Sequence, residues 1–151
     1  MSRKLARERA FMFLYSLEIQ PDDYILQRRL FLDEWRLSRA DTDFFDLVVT
    51  GVLEHKEEFD REIEPRLIGW AISRLPRIDL TIMRLALFEM KYLEDIPTSV
   101  SISEAVILAR KYSDEKSRSY INAILGGIER DSTFARCKRT DAVKDNKDEN
   151  S

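Results

Sequence analysis

Two stretches of this chain mix cations and aromatic rings in a pattern that suits single-stranded nucleic acid. The first is the N-terminal SRKLARERAFMFLYSL, in which Arg3, Lys4, Arg7 and Arg9 stand against Glu8 alone, with Tyr15 further along. The second is ARKYSDEKSRSYI, residues 109–121, in which Arg110, Lys111, Lys116 and Arg118 are interleaved with Tyr112 and Tyr120. In such a pattern phosphates take the charge and unstacked bases take the rings, at ~1–3 kcal/mol per stacked base. Lys116 and Tyr120 are four residues apart and share a helix face. Positive charge in a first helical turn opposes the helix dipole, a small stability cost that points to a binding purpose. A plainer reading stands beside this one. The cations form a solvated face, and Tyr112 and Tyr120 are half-buried core residues whose hydroxyls reach water.

No catalytic constellation accompanies these stretches. There is no P-loop, no G-x-G-x-x-G, no H-E-x-x-H and no Cys–His pair with metal spacing. The one histidine, His55, lies next to Lys56 with no nucleophile placed by a motif, and reads as a surface residue. The one cysteine, Cys137, excludes an internal disulfide framework and a multi-cysteine metal site, in keeping with a reducing cytoplasm. The expectation is a binding protein, not an enzyme, with no cofactor and no metal. The net charge of −3 excludes a generally basic coat. It leaves room for a local basic patch, because salt confines fields to ~8–10 Å. No apolar run approaches the ~20 residues that span a bilayer, and no secretion signal opens the chain.

Helices must position these groups. Four Gly and four Pro in 151 residues favour long helices over a turn-rich β fold, and a chain of this length forms one domain with a real core. The centre is the segment from Ile78 to Leu93, apolar on almost every side, which belongs inside a bundle. Pro76 suits its first turn. A narrow polar row remains on it, Arg77, Thr81, Arg84 and Lys91, with Phe88 on the same face as a candidate exposed aromatic. Before it come a helix over Ser2–Leu17, a break at Pro21-Asp22-Asp23, and a helix over Tyr24–Leu37 whose apolar side is Ile25, Leu26, Leu30, Phe31 and Trp35. Ser38 then opens a helix that runs past Phe59. Gly51 within it marks a close approach of two helices. A short helix ends at Gly69, and Trp70, Ile72 and Leu75 pack as a connector. After Asp95-Ile96-Pro97, Ser101 and Glu104 form a capping box, and Asp114 caps the last helix. The expected domain is 1–130. The polar tail 131–151 reads as disordered.

These blocks also resemble a known family. The run R-L-P-R-I-D-x-x-I-M-R-L-A-x-x-E-M (Arg74 to Met90) is similar to the NusB transcription antitermination proteins. So are D-I-P-x-x-V-x-I-S-E-A-V-x-L-A-R-x-Y (Asp95 to Tyr112), S-x-x-Y-I-N-x-I-L (Ser117 to Leu125) and the opening R-x-x-A-R-E-x-A…L-Y (Arg3 to Tyr15). The blocks cover most of residues 3–128 in the family's order, and their combination is specific where any one alone is weak. Pro21 to Arg39 and the tail match nothing distinctive.

The resemblance implies an all-α bundle of about six to seven helices in two subbundles. It implies binding to boxA RNA of ribosomal RNA leader transcripts, as a heterodimer with NusE, a small-subunit ribosomal protein. Other Nus factors and RNA polymerase follow as indirect partners. Monomer and homodimer are both open. Carried over residue by residue, it makes Arg3, Lys4, Arg7, Tyr15, Tyr112, Lys116 and Tyr120 the RNA-binding set. Asp79 matches an acidic position resembling the one that contacts NusE; an exposed carboxylate serving the helix dipole is an equal reading. Lys116 stands where some relatives carry an acid. Ser103 and Ala123 depart from the family's Asn and Gly. The rival from another class is a helical protein–protein adaptor without RNA binding, using the Arg77–Lys91 row and Phe88. The RNA reading requires Arg3, Lys4 and Arg7 to share an outer surface with Lys116 and Tyr120.

Overall fold

The computed structural model describes residues 2–131, and the expected disorder of the tail falls on residues beyond that range. Six helices follow one another: α1 (Ser2–Ile19), α2 (Tyr24–Glu34), α3 (Arg39–Ile63), α4 (Arg77–Tyr92), α5 (Thr98–Tyr112) and α6 (Glu115–Arg130). Short 3-10 turns at Glu64–Arg66 and Ile72–Arg74 link α3 to α4. Among the described residues there is no strand. The helices α1–α3 pack together, α4–α6 pack together, and α4 touches α1, α3, α5 and α6. The expected all-α fold in two halves is therefore present, with α4 as the shared member.

The sequence explains why α4 takes that place. Every residue from Asp79 to Lys91 is buried. Ile82, Met83, Leu87 and Met90 are wholly enclosed, and each contributes about 1.5–3 kcal/mol relative to exposure. Thr81, Arg84 and Lys91 of the polar row are enclosed too, which corrects the expectation of an outward face; Arg77 alone of that row is partly exposed. Arg84 donates from Nε and Nη2 to the two carboxylate oxygens of Asp60 at 2.8 and 2.7 Å, and pairs with Glu18 as well. Lys91 pairs with Glu58 at 3.1 Å and with Glu62. Thr81 donates to the Arg77 carbonyl at 2.7 Å. Phe88 is buried rather than exposed and lies directly under Gly51. A Cβ built at Gly51 would sit 2.0 Å from Phe88 Cε1. The close approach read from Gly51 is thus real, and Phe88 is what fills it.

Three local details differ from expectation. In α2 no residue is buried, and Ile25, Leu26 and Leu30 face outward. Tyr24 and Phe31 instead meet Phe13 of α1, at 5.7 and 5.2 Å between ring centroids. In α5 the helix begins at Thr98 directly after Pro97, so Ser101 and Glu104 lie inside it and form no capping box. The fixed φ of Pro97 starts the helix one turn early. His55 is half-buried: α3 bends there (φ −114°, ψ 16°), and the ring stacks on Tyr92 at 4.6 Å. The caps at Ser38 and Asp114 are as expected, accepting from Asp41 N at 3.1 Å and Ser117 N at 2.8 Å.

Candidate nucleic-acid interface

Helix α1 spreads its cations over three environments. Its stripe of Ala6, Ala10, Phe13, Leu14 and Leu17 is buried, which leaves Arg3 and Lys4 exposed at the helix start. Arg3 pairs with Asp95 at 2.7 Å on the surface. Arg9 turns away and lies over the Trp35 ring at 4.0 Å. Arg7 is only 5% exposed. Its Nε and Nη2 donate to the two oxygens of Glu89, itself buried on α4, at 2.8 and 2.7 Å. Glu104 lies 3.8 Å from Nη1. Burial works against the Arg7 charge, but the hydrogen bonds and charge of Glu89 outweigh it and hold the proton more tightly than usual. The expectation that Arg7 grips an RNA phosphate is corrected: its charge is already spent on Glu89, inside the protein. The signal was in the sequence, since Arg7 stands three, four and seven residues before Ala10, Phe11 and Leu14, on the buried stripe itself.

Glu8, next along, faces the other way and ties α1 to the end of α5. It accepts hydrogen bonds from Lys111 and Tyr112. Burial would raise the Glu8 carboxyl, but these two donors bring it below the usual range. Burial and the same bond push the Tyr112 phenol up to about 12. The Tyr112 ring lies 5.0 Å from Phe11, which stacks on Tyr15 at 6.4 Å. Tyr15 and Tyr112 are both half-buried. The ammonium of Lys111 stays largely exposed, 5.5 Å from the Tyr112 ring centroid.

The α5–α6 junction is organised by Asp79. This residue is fully buried in the first turn of α4. It accepts from the hydroxyls of Ser113 at 2.8 Å and Ser117 at 2.7 Å, and from that of Tyr120. Burial raises its carboxyl above the ordinary range, and the serine bonds only partly offset that. The two readings of Asp79, as an exposed helix-start carboxylate and as a direct contact for NusE, are both corrected, because no part of it reaches the surface. On the outer side of the junction, Tyr120 lies 6.5 Å from the ring of Trp70, and the exposed Lys116 stands 6.0 Å over that ring. Trp70 is 44% exposed and follows Gly69, whose φ of 77° turns the chain outward. Reading Trp70 as a packed connector missed this; the Gly-Trp pair just after an apolar segment was the available sign. Trp70, Leu67, Ile68, Lys116, Tyr120 and Ile124 line an apolar groove of about 500 Å³. Ser103 and Ala123, the two departures, are both exposed and disturb no core contact.

Hydrogen bonds therefore join the sequence-derived set in two places, α1 to α5 through Glu8, and α4 to the α5–α6 junction through Asp79. Among the described residues no group of histidine, cysteine and carboxylate side chains could hold a metal ion, and no helix is long and apolar enough to cross a membrane.

The fold is all-α, and its α5–α6 junction sets an exposed cation and two aromatic rings beside an apolar groove. Comparison with known proteins names the class: the chain belongs to the NusB family, whose sequence profile matches residues 4–130. It is 44% identical over 128 residues to the transcription antitermination protein NusB of Acetivibrio thermocellus, covering 85% of this chain and 88% of that one. The fold matches T. maritima NusB with a TM-score of 0.76 at 29% identity, over 82% of this chain and 87% of that one. It also matches a crystal structure of antitermination factors NusB and NusE in complex with double-stranded RNA. There the TM-score is 0.76 and the identity 26%, over 83% of this chain and 94% of that chain.

Proposed function

We propose that this protein is a transcription antitermination factor that binds boxA-type single-stranded RNA of ribosomal RNA leader transcripts together with NusE. It joins the antitermination complex on RNA polymerase, in the cytoplasm, and works by assembly rather than catalysis. The observation that carries the RNA reading is the outer face of the α5–α6 junction, where Lys116, Trp70 and Tyr120 put one exposed cation against two rings. Arg3, Lys4 and Lys111 supply further exposed charge, and Tyr15 and Tyr112 supply ring edges between α1 and α5. Arg7, enclosed with Glu89, drops out of the outer surface that RNA binding was expected to need, so binding rests on the exposed cations and rings, and Arg7 contributes by holding α1 to α4. The adaptor alternative loses most of its basis, because Thr81, Arg84, Phe88 and Lys91 are enclosed and only Arg77 of that row reaches solvent.

A few phosphate contacts alone give weak, salt-sensitive binding, with log K falling ~0.7 per contact for each decade of salt. NusE extends the RNA surface and raises affinity. Electrophoretic mobility shift with labelled boxA RNA, with and without NusE, tests this. A shifted complex that tightens with NusE is expected. Equal binding to boxA and scrambled RNA in the presence of NusE refutes it.

A further inference from the structure

A buried carboxylate with no cation beside it needs an explanation. Asp79 has three hydroxyl donors, one from the end of α5 (Ser113) and two from the first turns of α6 (Ser117, Tyr120). Among the described residues it makes no ion pair, and the charge that bears on it, Asp114, is of the same sign. Its position in the first turn of α4, facing the first turn of α6, places it at two helix N-termini, which favour negative charge. Leaving such a group in the core is costly unless it is fully hydrogen-bonded. What these bonds hold is specific. Ser113 and Ser117 bracket the α5–α6 turn that carries Lys116. Tyr120 is held at its hydroxyl end, so its ring is fixed against Trp70.

Resting on the RNA reading above, we propose that Asp79 is a positioning residue for nucleic-acid binding. Its carboxylate clasps Ser113, Ser117 and Tyr120, and so sets the Lys116–Trp70–Tyr120 face in the geometry that receives a base and its phosphate. Asp79 touches neither RNA nor partner. It acts through the junction, fixing in advance side chains that binding would otherwise have to order. The acidic character of the position follows from this. An amide in its place offers one acceptor where the carboxylate offers two, and so cannot satisfy three hydroxyl donors.

The test uses the full chain carrying Trp35→Phe, which leaves Trp70 as the one tryptophan of the two present. In this background Asp79→Asn is compared with Tyr120→Phe, which removes the hydroxyl and keeps the ring, and with the double variant. Acrylamide quenching of Trp70 reads the junction. Labelled boxA RNA with NusE reads binding. Asp79→Asn is expected to raise quenching about two-fold and to weaken RNA binding roughly five-fold or more, the lower end of what one stacked base contributes. The double variant is expected to lose less than the product of the two single losses, because both cut the same bond. Where Asp79→Asn fails to melt cooperatively, Ser117→Ala with Tyr120→Phe cuts the clasp from the donor side and carries the same expectations. Multiplicative losses, or unchanged quenching in a folded variant, overturn the proposal while leaving the RNA reading standing. Absence of RNA binding by the parent chain overturns the RNA reading itself, and quenching then still reports whether the clasp holds the junction.

Discussion

Replacing Arg7 by alanine separates two accounts of this side chain. If Arg7 were a surface phosphate ligand, the variant would fold normally and lose only RNA affinity. The structure requires the opposite order. Arg7 and Glu89 form a bidentate pair in which both side chains are almost fully enclosed. Removing one partner leaves an uncompensated carboxylate in the core, a loss of about 3–5 kcal/mol. For a folded region of this size that is on the order of 10–20 °C in Tm. The loss has a characteristic pH dependence. Glu89 is already raised above its ordinary value by burial, with Arg7 opposing, so without Arg7 it rises further. A carboxyl raised in the folded state is protonated there while the unfolded chain has ionised. Its unfavourable contribution is absent below the unfolded value near 4.3, grows as pH rises above that value, and is fully present above the folded one. The deficit of Arg7→Ala relative to wild type is therefore largest near neutral pH and shrinks toward pH 4. Urea unfolding of both proteins across that range measures it. Arg7→Met with Glu89→Leu, which empties the site of charge, recovers most of the stability. A loss below about 1 kcal/mol, or one that does not change with pH, refutes the buried-pair account.

Other expectations follow from neighbouring features. Lys116→Ala lowers the salt slope of RNA binding by ~0.7 and leaves Tm within the scatter of surface substitutions; an unchanged slope removes Lys116 from the interface. Gly51→Ala forces Phe88 to move and costs about 1–3 kcal/mol or more, read by thermal melting, and a neutral outcome contradicts the packing of α3 on α4. Tyrosinate absorbance places the Tyr112 transition near 12. Glu8→Gln moves it back toward the ordinary tyrosine value of ~10, and an unmoved transition dissolves the Glu8 link between α1 and α5.

Much of this fold is legible in the sequence because its strongest signal is local. The apolar run of α4, the caps at Ser38 and Asp114 and the break at Pro21 all act within a few residues of themselves. What escaped is long-range. A row of Arg84, Lys91 and Thr81 on a helix looks like a wet face until Glu18, Asp60, Glu58 and Glu62 arrive from α1 and α3 to cover it. Helical periodicity does not distinguish a solvated cation from a paired one. The same blindness put Arg7 and Asp79 on the surface. For the site, the right stretches were readable from composition and family likeness, but which member of each stretch faces outward was not. Arg3, Lys4 and Lys116 are exposed as expected, whereas Trp70 became visible only once Gly69 turned it out.

The enclosed ion pairs of α4 have one more consequence. Charges at Arg7, Arg84 and Lys91 are nearly buried and so are screened much less by dissolved ions, whereas those at Lys4, Lys111 and Lys116 stand in water, where a Debye length of ~8–10 Å governs them. Ionic strength thus addresses one population far more than the other. A rise in salt can loosen a transcript from the outer cations while the bundle keeps its shape, and a return to low salt restores the hold with no refolding step between.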